Sequence, residues 1–345
     1  HVPGLDVGLE PLGHVLLPDY VVERLRPVLL RPDLVHWLPS DEFDEVAHDG
    51  LGVLCFHDPG CQQHSAGSQV DGGLDIGSAK ITESEKQGIK HYLIDDYPFD
   101  FDYNVVRFQT DAKKALDLIY SKNKLPIITG GTGFYIQSII KDVDFTRTGE
   151  DNSYRSFLEA LARENGNEFI HNMLREIDPD SAAAIHPNNV KRVIRALEFA
   201  RDTGRAISEH NREQFGRRSP YNYACFVLEM PRQQLYERIN LRVNKMMEDG
   251  LLDEVIALKD AGADRSMTSM QGLGYRQLLA YLYGECTLDE AVDRIKLETR
   301  HFAKRQITWF KREKDVIWLD VSGRGTEELM ESIVITLKEK GIINA

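Results

Sequence analysis

KLPIITGGTGFYIQSII, residues Lys124–Ile140, decides the fold class. Pro126-Ile127-Ile128-Thr129 is a short apolar run suited to a buried strand. Gly130-Gly131-Thr132-Gly133 reads as a turn, and Phe134 to Ile140 carry apolar residues at helical spacing. Just ahead, VVRFQTDAKKALDLIYSKN (Val105–Asn123) has the apolar stripe of an amphipathic helix. Helix, strand, glycine turn and helix in that order imply an α/β unit on a parallel sheet.

Downstream, from about Ser153 to Glu213, the spacing is helical almost throughout: YRSFLEALAREN, NEFIHNMLREI, then NNVKRVIRALEFARDTG. Asn188 or Asn189 suits a cap for the last of these, and Gly204 suits its end. No strand pattern interrupts the stretch, so residues 146–214 are expected to form a helical insertion. The α/β core is then 74–145 together with 215–345. In that second part ACFVLEM (Ala224–Met230) and DVIWLD (Asp315–Asp320) read as strands. QQLYERINLRVNKMMEDGLLDEVIALKDAG, AYLYGEC and LDEAVDRIKLETRHFAKRQITWFKR read as helices.

A chain of 345 residues accommodates two domains, or one large domain with an insertion. Apolar residues are 42% and charged residues 28%, a composition that can bury a core. No run of about 18 apolar residues occurs, which excludes a transmembrane helix. The opening HVPGLDVGLE lacks the basic start and apolar core of a secretory signal. Cys55, Cys61, Cys225 and Cys286 form no CxxC pair, so neither a disulfide framework nor a zinc site is indicated. A soluble cytoplasmic protein is the default expectation.

The net charge of −13 is uneven. Residues 1–79 hold 13 Asp or Glu against Arg24, Arg26 and Arg31, a net of −10, which leaves −3 for residues 80–345. A locally basic surface is therefore open downstream. Residues 1–73 also contain no Lys, Ile, Asn, Thr or Met, yet hold seven of the 13 prolines and six of the 11 histidines. Two readings stand: a Pro-rich acidic extension, or a segment foreign to the rest through a frame error or chimeric joining. Pro27 and Pro32 would break a long helix there, and this segment is expected to pack poorly.

Several residues could carry chemistry. The Gly130–Gly133 turn offers backbone N–H groups at a helix start, which suits an anion, and Thr132 adds a hydroxyl; a plain structural turn is the alternative. Arg238 and Arg242, four apart, project from one helical face and suit a diphosphate, or else form a solvated face paired with Glu237 or Glu248. Arg294–Lys314 carries eight basic residues against Glu298 and Glu313, with His301, Phe302, Trp309 and Phe310 interleaved. Lys304, Arg305, Lys311 and Arg312 could track a phosphate backbone while Trp309 and Phe310 anchor the core or stack on bases. Lys191, Arg192 and Arg195 form a second cluster. GxxxxGK[ST], HExxH, GxSxG and paired-cysteine metal patterns are absent.

Together the strings LDIGSAK (Leu74–Lys80), HYLID (His91–Asp95), GGTGFYIQS (Gly130–Ser138), IHPNNVKRVIRALE (Ile185–Glu198), GLLDEV (Gly250–Val255), QGLGYRQ (Gln271–Gln277) and TRHFAKRQITWF (Thr299–Phe310) resemble the tRNA dimethylallyltransferase (tRNA isopentenyltransferase) family over about residues 74–320. The resemblance implies a P-loop-type parallel sheet core with an inserted helical tRNA-binding domain. It implies transfer of a dimethylallyl group from dimethylallyl diphosphate to N6 of the adenosine 3′ to the anticodon, with Mg²⁺ and the tRNA anticodon arm as partners. No membrane and no protein partner is implied, and a monomer is expected.

By motif, Thr132 corresponds to the threonine beside the target adenosine, and Arg238 and Arg242 to the pair holding the diphosphate. Lys191, Arg192, Val193, Ile194 and Arg195 correspond to a tRNA-contacting segment, as do Gln271, Gly272, Leu273, Gly274, Tyr275 and Arg276. Arg155 corresponds to a further contact, and the metal ligands are unassigned. The family's phosphate-binding loop should fall around residues 39–46, which read PSDEFDEV, acidic residues that repel a diphosphate. Gly67 or Ala66, in SAGSQVDGGLD, stands where the family has its catalytic Asp. The expectation is little or no turnover by this chain. The alternatives are a non-catalytic tRNA-binding protein and an adenylate isopentenyltransferase.

Overall fold

The computed structural model describes residues 51–55, 71–86, 88–145 and 153–343. The expectation of poor packing over 1–73 lies outside the described residues except for 51–55 and 71–73. The described residues belong to two compact units. One comprises residues up to Ile136 and from Asn222 onward, the other Gln137–Tyr221.

The first unit opens with β1 (Leu51–Cys55) and the two-residue β2 (Asp71–Gly72), then turns through LDIGSAK to the short α1 (Glu83–Lys86). β3 (Lys90–Tyr92), β4 (Tyr97–Pro98), α2 (Val105–Tyr120), β5 (Leu125–Thr129) and α3 (Gly133–Ile140) follow. β1 is the middle strand of a parallel sheet in the order β3-β1-β5, with Val53 opposite both His91 and Ile127. The strand, turn and helix expected from residues 126–140 are thus present, on a parallel sheet as inferred. α2 starts where Asn104 Oδ1 accepts the N–H groups of Val106 and Arg107, each at 3.1 Å. It ends at Tyr120, short of the expected Asn123. Asn123 takes φ 52° and the Lys124 N–H bonds the Ile119 carbonyl at 3.2 Å, which turns the chain out of the helix and into β5.

The second unit consists of helices: α4 (Ser153–Asn165), α5 (Asn167–Ile177), α6 (Pro179–Ala184), α7 (Val190–Thr203) and α8 (Ile207–Phe215). Leu158, Ile170, Leu174 and Val193 are fully buried at its centre. Gly204 ends α7 in the left-handed conformation, φ 69°. The side-chain cap expected from Asn188 or Asn189 is not made. Asn189 stands at the cap position without a side-chain bond, and Asn188 Oδ1 instead accepts from Asn167 Nδ2 at 3.2 Å.

The chain then returns to the first unit through β6 (Cys225–Glu229), α9 (Arg232–Glu248) and α10 (Leu251–Asp260). α11 (Tyr275–Leu282), α12 (Leu288–Phe310), β7 (Val316–Asp320) and α13 (Thr326–Glu339) complete it. β6 and β7 pair in parallel, Val227 opposite Trp318. The AYLYGEC helix lies one turn earlier than expected. Tyr283–Cys286 form a turn because Thr287 and Glu290 close a reciprocal cap that starts α12: the Thr287 N–H donates to Glu290 Oε2 at 2.8 Å, and the Glu290 N–H to Thr287 Oγ1 at 3.3 Å. Leu74, Leu251, Val255, Met270, Tyr275, Leu278 and Leu279 form the main core of this unit. Among the described residues, no helix is long and apolar enough to cross a membrane.

Candidate functional site

The Gly130–Gly133 turn leaves the C-terminal end of β5, the end of a parallel strand where α/β folds place ligands. The Thr132 carbonyl accepts the N–H groups of Tyr135 and Ile136 at 3.0 and 3.2 Å, so this residue starts α3 with its side chain half-buried. α12 closes over the turn. A Cβ on Gly133 would collide with the Trp309 indole, so glycine is required there, whereas one on Gly131 would displace the Gln306 amide. Trp309, half-buried, also meets Phe134 edge-on, 6.3 Å between centroids, and Phe310 is buried. Trp309 Nε1 is buried and makes no hydrogen bond.

Arg238 and Arg242 sit one turn apart on α9, half-buried, and Arg238 Nη1 lies 3.8 Å from Met230 Sδ. Ile239 and Val243 bury the inner face of α9. α12 contacts another side of the helix: Arg300 Nη2 donates to Asn240 Oδ1 at 3.0 Å, and its guanidinium lies 5.8 Å from the Tyr236 ring. At 100° per residue, Asn240 and Tyr236 lie roughly opposite the arginine pair on the α9 circumference. Farther along α12, His301, Lys304 and Arg305 are exposed, as are Lys311 and Arg312 beyond its end.

The segment Gln271–Arg276 is mostly interior. Leu273 and Tyr275 are buried, and only the Gln271 and Arg276 side chains are half-exposed. Arg276 is paired with Glu298, which also accepts from Gln277 Nε2 at 3.0 Å. Tyr275 reaches inward and donates its hydroxyl to Glu254 Oε1 at 2.7 Å. The same carboxylate accepts the backbone N–H groups of Asp75, Ile76 and Gly77 at 3.0, 2.7 and 3.1 Å. Burial and the facing Glu254 carboxylate hold the Tyr275 hydroxyl well above its ordinary value, so it remains a donor. The LDIGSAK loop is also tied by Lys80, whose nearly buried ammonium pairs with Asp75 and Asp95. Three of the quoted strings therefore meet at one carboxylate. Composition and periodicity gave no signal for Glu254 or Glu298.

In the helical unit Lys191 and Arg192 are exposed, whereas Val193 and Ile194 point into the core. Of that segment, the surface charge comes from Lys191, Arg192 and the half-buried Arg195. Burial draws the Arg195 guanidinium down from its ordinary value, with Glu198 opposing. Arg155 grips Glu198 with two bonds, Nε to Oε1 at 2.9 Å and Nη2 to Oε2 at 2.8 Å. Beside them is a grouping that sequence reading missed. The Tyr154 and Phe157 rings lie nearly parallel, 6.2 Å apart, with the Arg201 guanidinium 4.4 Å from the Tyr154 centroid and Phe157 53% exposed.

Residues 69–313 match the model of a family described as IPP transferase. The chain is 54% identical over 276 residues to the tRNA dimethylallyltransferase of Lachnoclostridium phytofermentans, covering 80% of this chain and 88% of that protein. It is 49% identical over 247 residues to the protein of the same name from Acetivibrio thermocellus, covering 72% and 79%. Its structure resembles that of the full-length tRNA isopentenylpyrophosphate transferase from Bacillus halodurans, with a TM-score of 0.61, 35% identity, and coverage of 93% of this chain and 95% of that one.

Proposed function

The chain belongs to the IPP transferase family, that of the tRNA dimethylallyltransferases, and from that premise we propose that it transfers a dimethylallyl group from dimethylallyl diphosphate to N6 of the adenosine 3′ to the anticodon of tRNA. The protein acts in the cytoplasm as a monomer on the tRNA anticodon arm. The observation that carries the reading is the collection in one compact unit of the glycine turn bearing Thr132, the half-buried Arg238 and Arg242 pair, and the basic surface of α12.

In the reaction the N6–carbon bond forms, the carbon–oxygen bond to diphosphate breaks, and N6 gives up a proton. The adenine amine is a weak nucleophile, so the rate depends on stabilising the departing diphosphate and the allylic cation character of the transition state. Arg238 and Arg242 take diphosphate oxygens with forked N–H donors, and Thr132 orients the adenosine. The adenine must leave its stack, which a single-stranded anticodon loop allows at low cost. Lys304, Arg305, Lys311 and Arg312 follow the phosphate backbone, and the helical insertion, residues 146–214, adds Arg155, Lys191, Arg192 and Arg195. Gln271 and Arg276 supply the contacts from their segment. Mg²⁺ commonly rides on diphosphate oxygens and water rather than an all-protein cage. Among the described residues no group of three His, Cys, Asp or Glu could hold it.

Residues 39–46 and 66–67 lie outside the described residues. The acidic PSDEFDEV string favours a second reading, in which the chain binds tRNA but has lost prenyl transfer. Calorimetry with dimethylallyl diphosphate and Mg²⁺, run beside tRNA binding at several salt concentrations, separates the two. Salt-dependent tRNA binding is expected in both. Diphosphate binding with measurable prenyl transfer supports the first, and its absence the second. Failure to bind tRNA sinks both, and preferential competition by AMP would point to transfer onto free nucleotides.

A further inference from the structure

Glu254 accepts four bonds with two oxygens: Oε2 takes the N–H groups of Asp75 and Ile76, and Oε1 takes the Gly77 N–H and the Tyr275 hydroxyl. An ionised carboxylate offers about four lone-pair sites, so this one is saturated. Its donors come from places far apart in the chain, separated from it by 177 to 179 positions on the loop side and 21 on the α11 side. The phenol end of Tyr275 also presses against the loop. A Cβ on Gly77 would stand 2.5 Å from its Cζ, so the loop approaches the ring as only glycine can.

This arrangement matters because of what shares the backbone with Tyr275. Gln271 and Arg276 are the half-exposed side chains of that segment, and Arg276 directly follows the anchored tyrosine. The segment lacks regular structure from Gly272 to Gly274, where the chain passes from a 3₁₀ turn into α11. Besides the bonds from the Gly272 N–H to the Ser269 carbonyl and from the Arg276 N–H to the Gly272 carbonyl, both 3.2 Å, side-chain anchors set its orientation. These are Gln271 to the Arg265 carbonyl, Arg276 to Glu298, and the Tyr275–Glu254 bond, which ties it to the Asp75–Gly77 loop.

Resting on the proposed function, we propose that Glu254 and Tyr275 are positioning residues for RNA binding: by clamping the Asp75–Gly77 amides and the Tyr275 hydroxyl at one carboxylate, they fix the orientation in which Gln271 and Arg276 meet the tRNA. Neither side chain touches RNA itself, since Tyr275 is fully buried and all four acceptor sites of Glu254 are used.

The test measures affinity for an anticodon stem-loop RNA, together with thermal unfolding, in the full chain and in Y275F and E254Q. Y275F keeps the ring and its packing and removes only the hydroxyl; E254Q puts an amide donor among four donors. For Y275F the expected result is RNA binding weakened about five- to tenfold at a temperature where the protein is fully folded, the scale of one lost hydrogen bond. Faster amide exchange at residues 75–77 should accompany it. E254Q should weaken binding further if it folds, and Y275F decides the matter if it does not. A purely structural role would lower the melting temperature and leave the affinity of the folded protein within twofold; that result overturns the inference. RNA binding absent in the unaltered chain overturns the proposed function and this inference with it, and the two failures are distinguished by that arm.

Discussion

In the helical unit, Asp178 accepts the N–H and hydroxyl of Ser181, three positions on, and the N–H of Ser208, 30 positions on. In the other unit, Glu254 accepts from amides 177 to 179 positions away. Both are carboxylates that satisfy backbone donors, but they organise different kinds of structure. Asp178 caps the short α6, Pro179–Ala184, beside a unit centre made of leucines, isoleucines and valines. Glu254 holds a loop that has no ladder of its own, between two helices of the main core. The helical unit thus stands on burial with local caps, and the loop region on a long-range polar clamp over a buried core.

The largest effect expected from this contrast is that of Glu254→Ala. It leaves the part-buried amides of Ile76 and Gly77 and the buried Tyr275 hydroxyl unpaired, and should cost the first unit about 3–5 kcal/mol. Trp309 and Trp318 lie in that unit and no tryptophan lies between 137 and 221, so with Trp37 replaced by phenylalanine in every variant, tryptophan fluorescence in urea reports on that unit. Far-UV circular dichroism sees both units. A single coincident shift in both signals would break the distinction between them.

Leu174→Ala should act in the opposite sense. Removing this fully buried side chain should cost the helical unit about 3 kcal/mol, visible by circular dichroism while the fluorescence midpoint holds. A fluorescence shift as large as the dichroism shift would show that the helical unit's core supports the other unit as well.

The smallest expected effect is that of Asp178→Asn, about 1–2 kcal/mol. Burial alone would raise the Asp178 carboxyl, but the bonds from Ser208 and Ser181 hold it below its ordinary value. A carboxyl lowered in the folded state contributes stability that is complete above the unfolded value of about 3.9 and is lost as pH falls through the lower folded value. Unfolding midpoints of the unaltered chain should therefore drop below about pH 4 more steeply than those of the asparagine variant. Parallel curves would show that these bonds do not depend on the charge.

The same contrast explains what could be read in advance. The strand, glycine turn and helix of residues 126–140, the helical run after Ser153 and the strands around residues 225 and 316 rest on periodicity and turn chemistry within a few residues, and these elements are present. The misplaced ends have equally local causes, such as the positive φ at Asn123 and the Thr287–Glu290 cap. At the candidate site, the strings pointed to Thr132, Arg238, Arg242 and the basic clusters. They did not distinguish Lys191 and Arg192, at the surface, from Val193 and Ile194, in the core.

Neighbouring residues alone carry the α/β order with its helical stretch, the asymmetry of charge and vocabulary between residues 1–73 and the rest, and the family resemblance borne by seven strings. The folded chain reveals that three of those strings meet at Glu254, that α12 closes over the glycine turn through Gln306 and Trp309, and that Tyr275 faces inward. The reason lies in range. Helical and strand periodicity is a property of neighbours, whereas a hydrogen bond across more than 170 positions exists only once the intervening chain has folded and brought donor and acceptor within 3 Å.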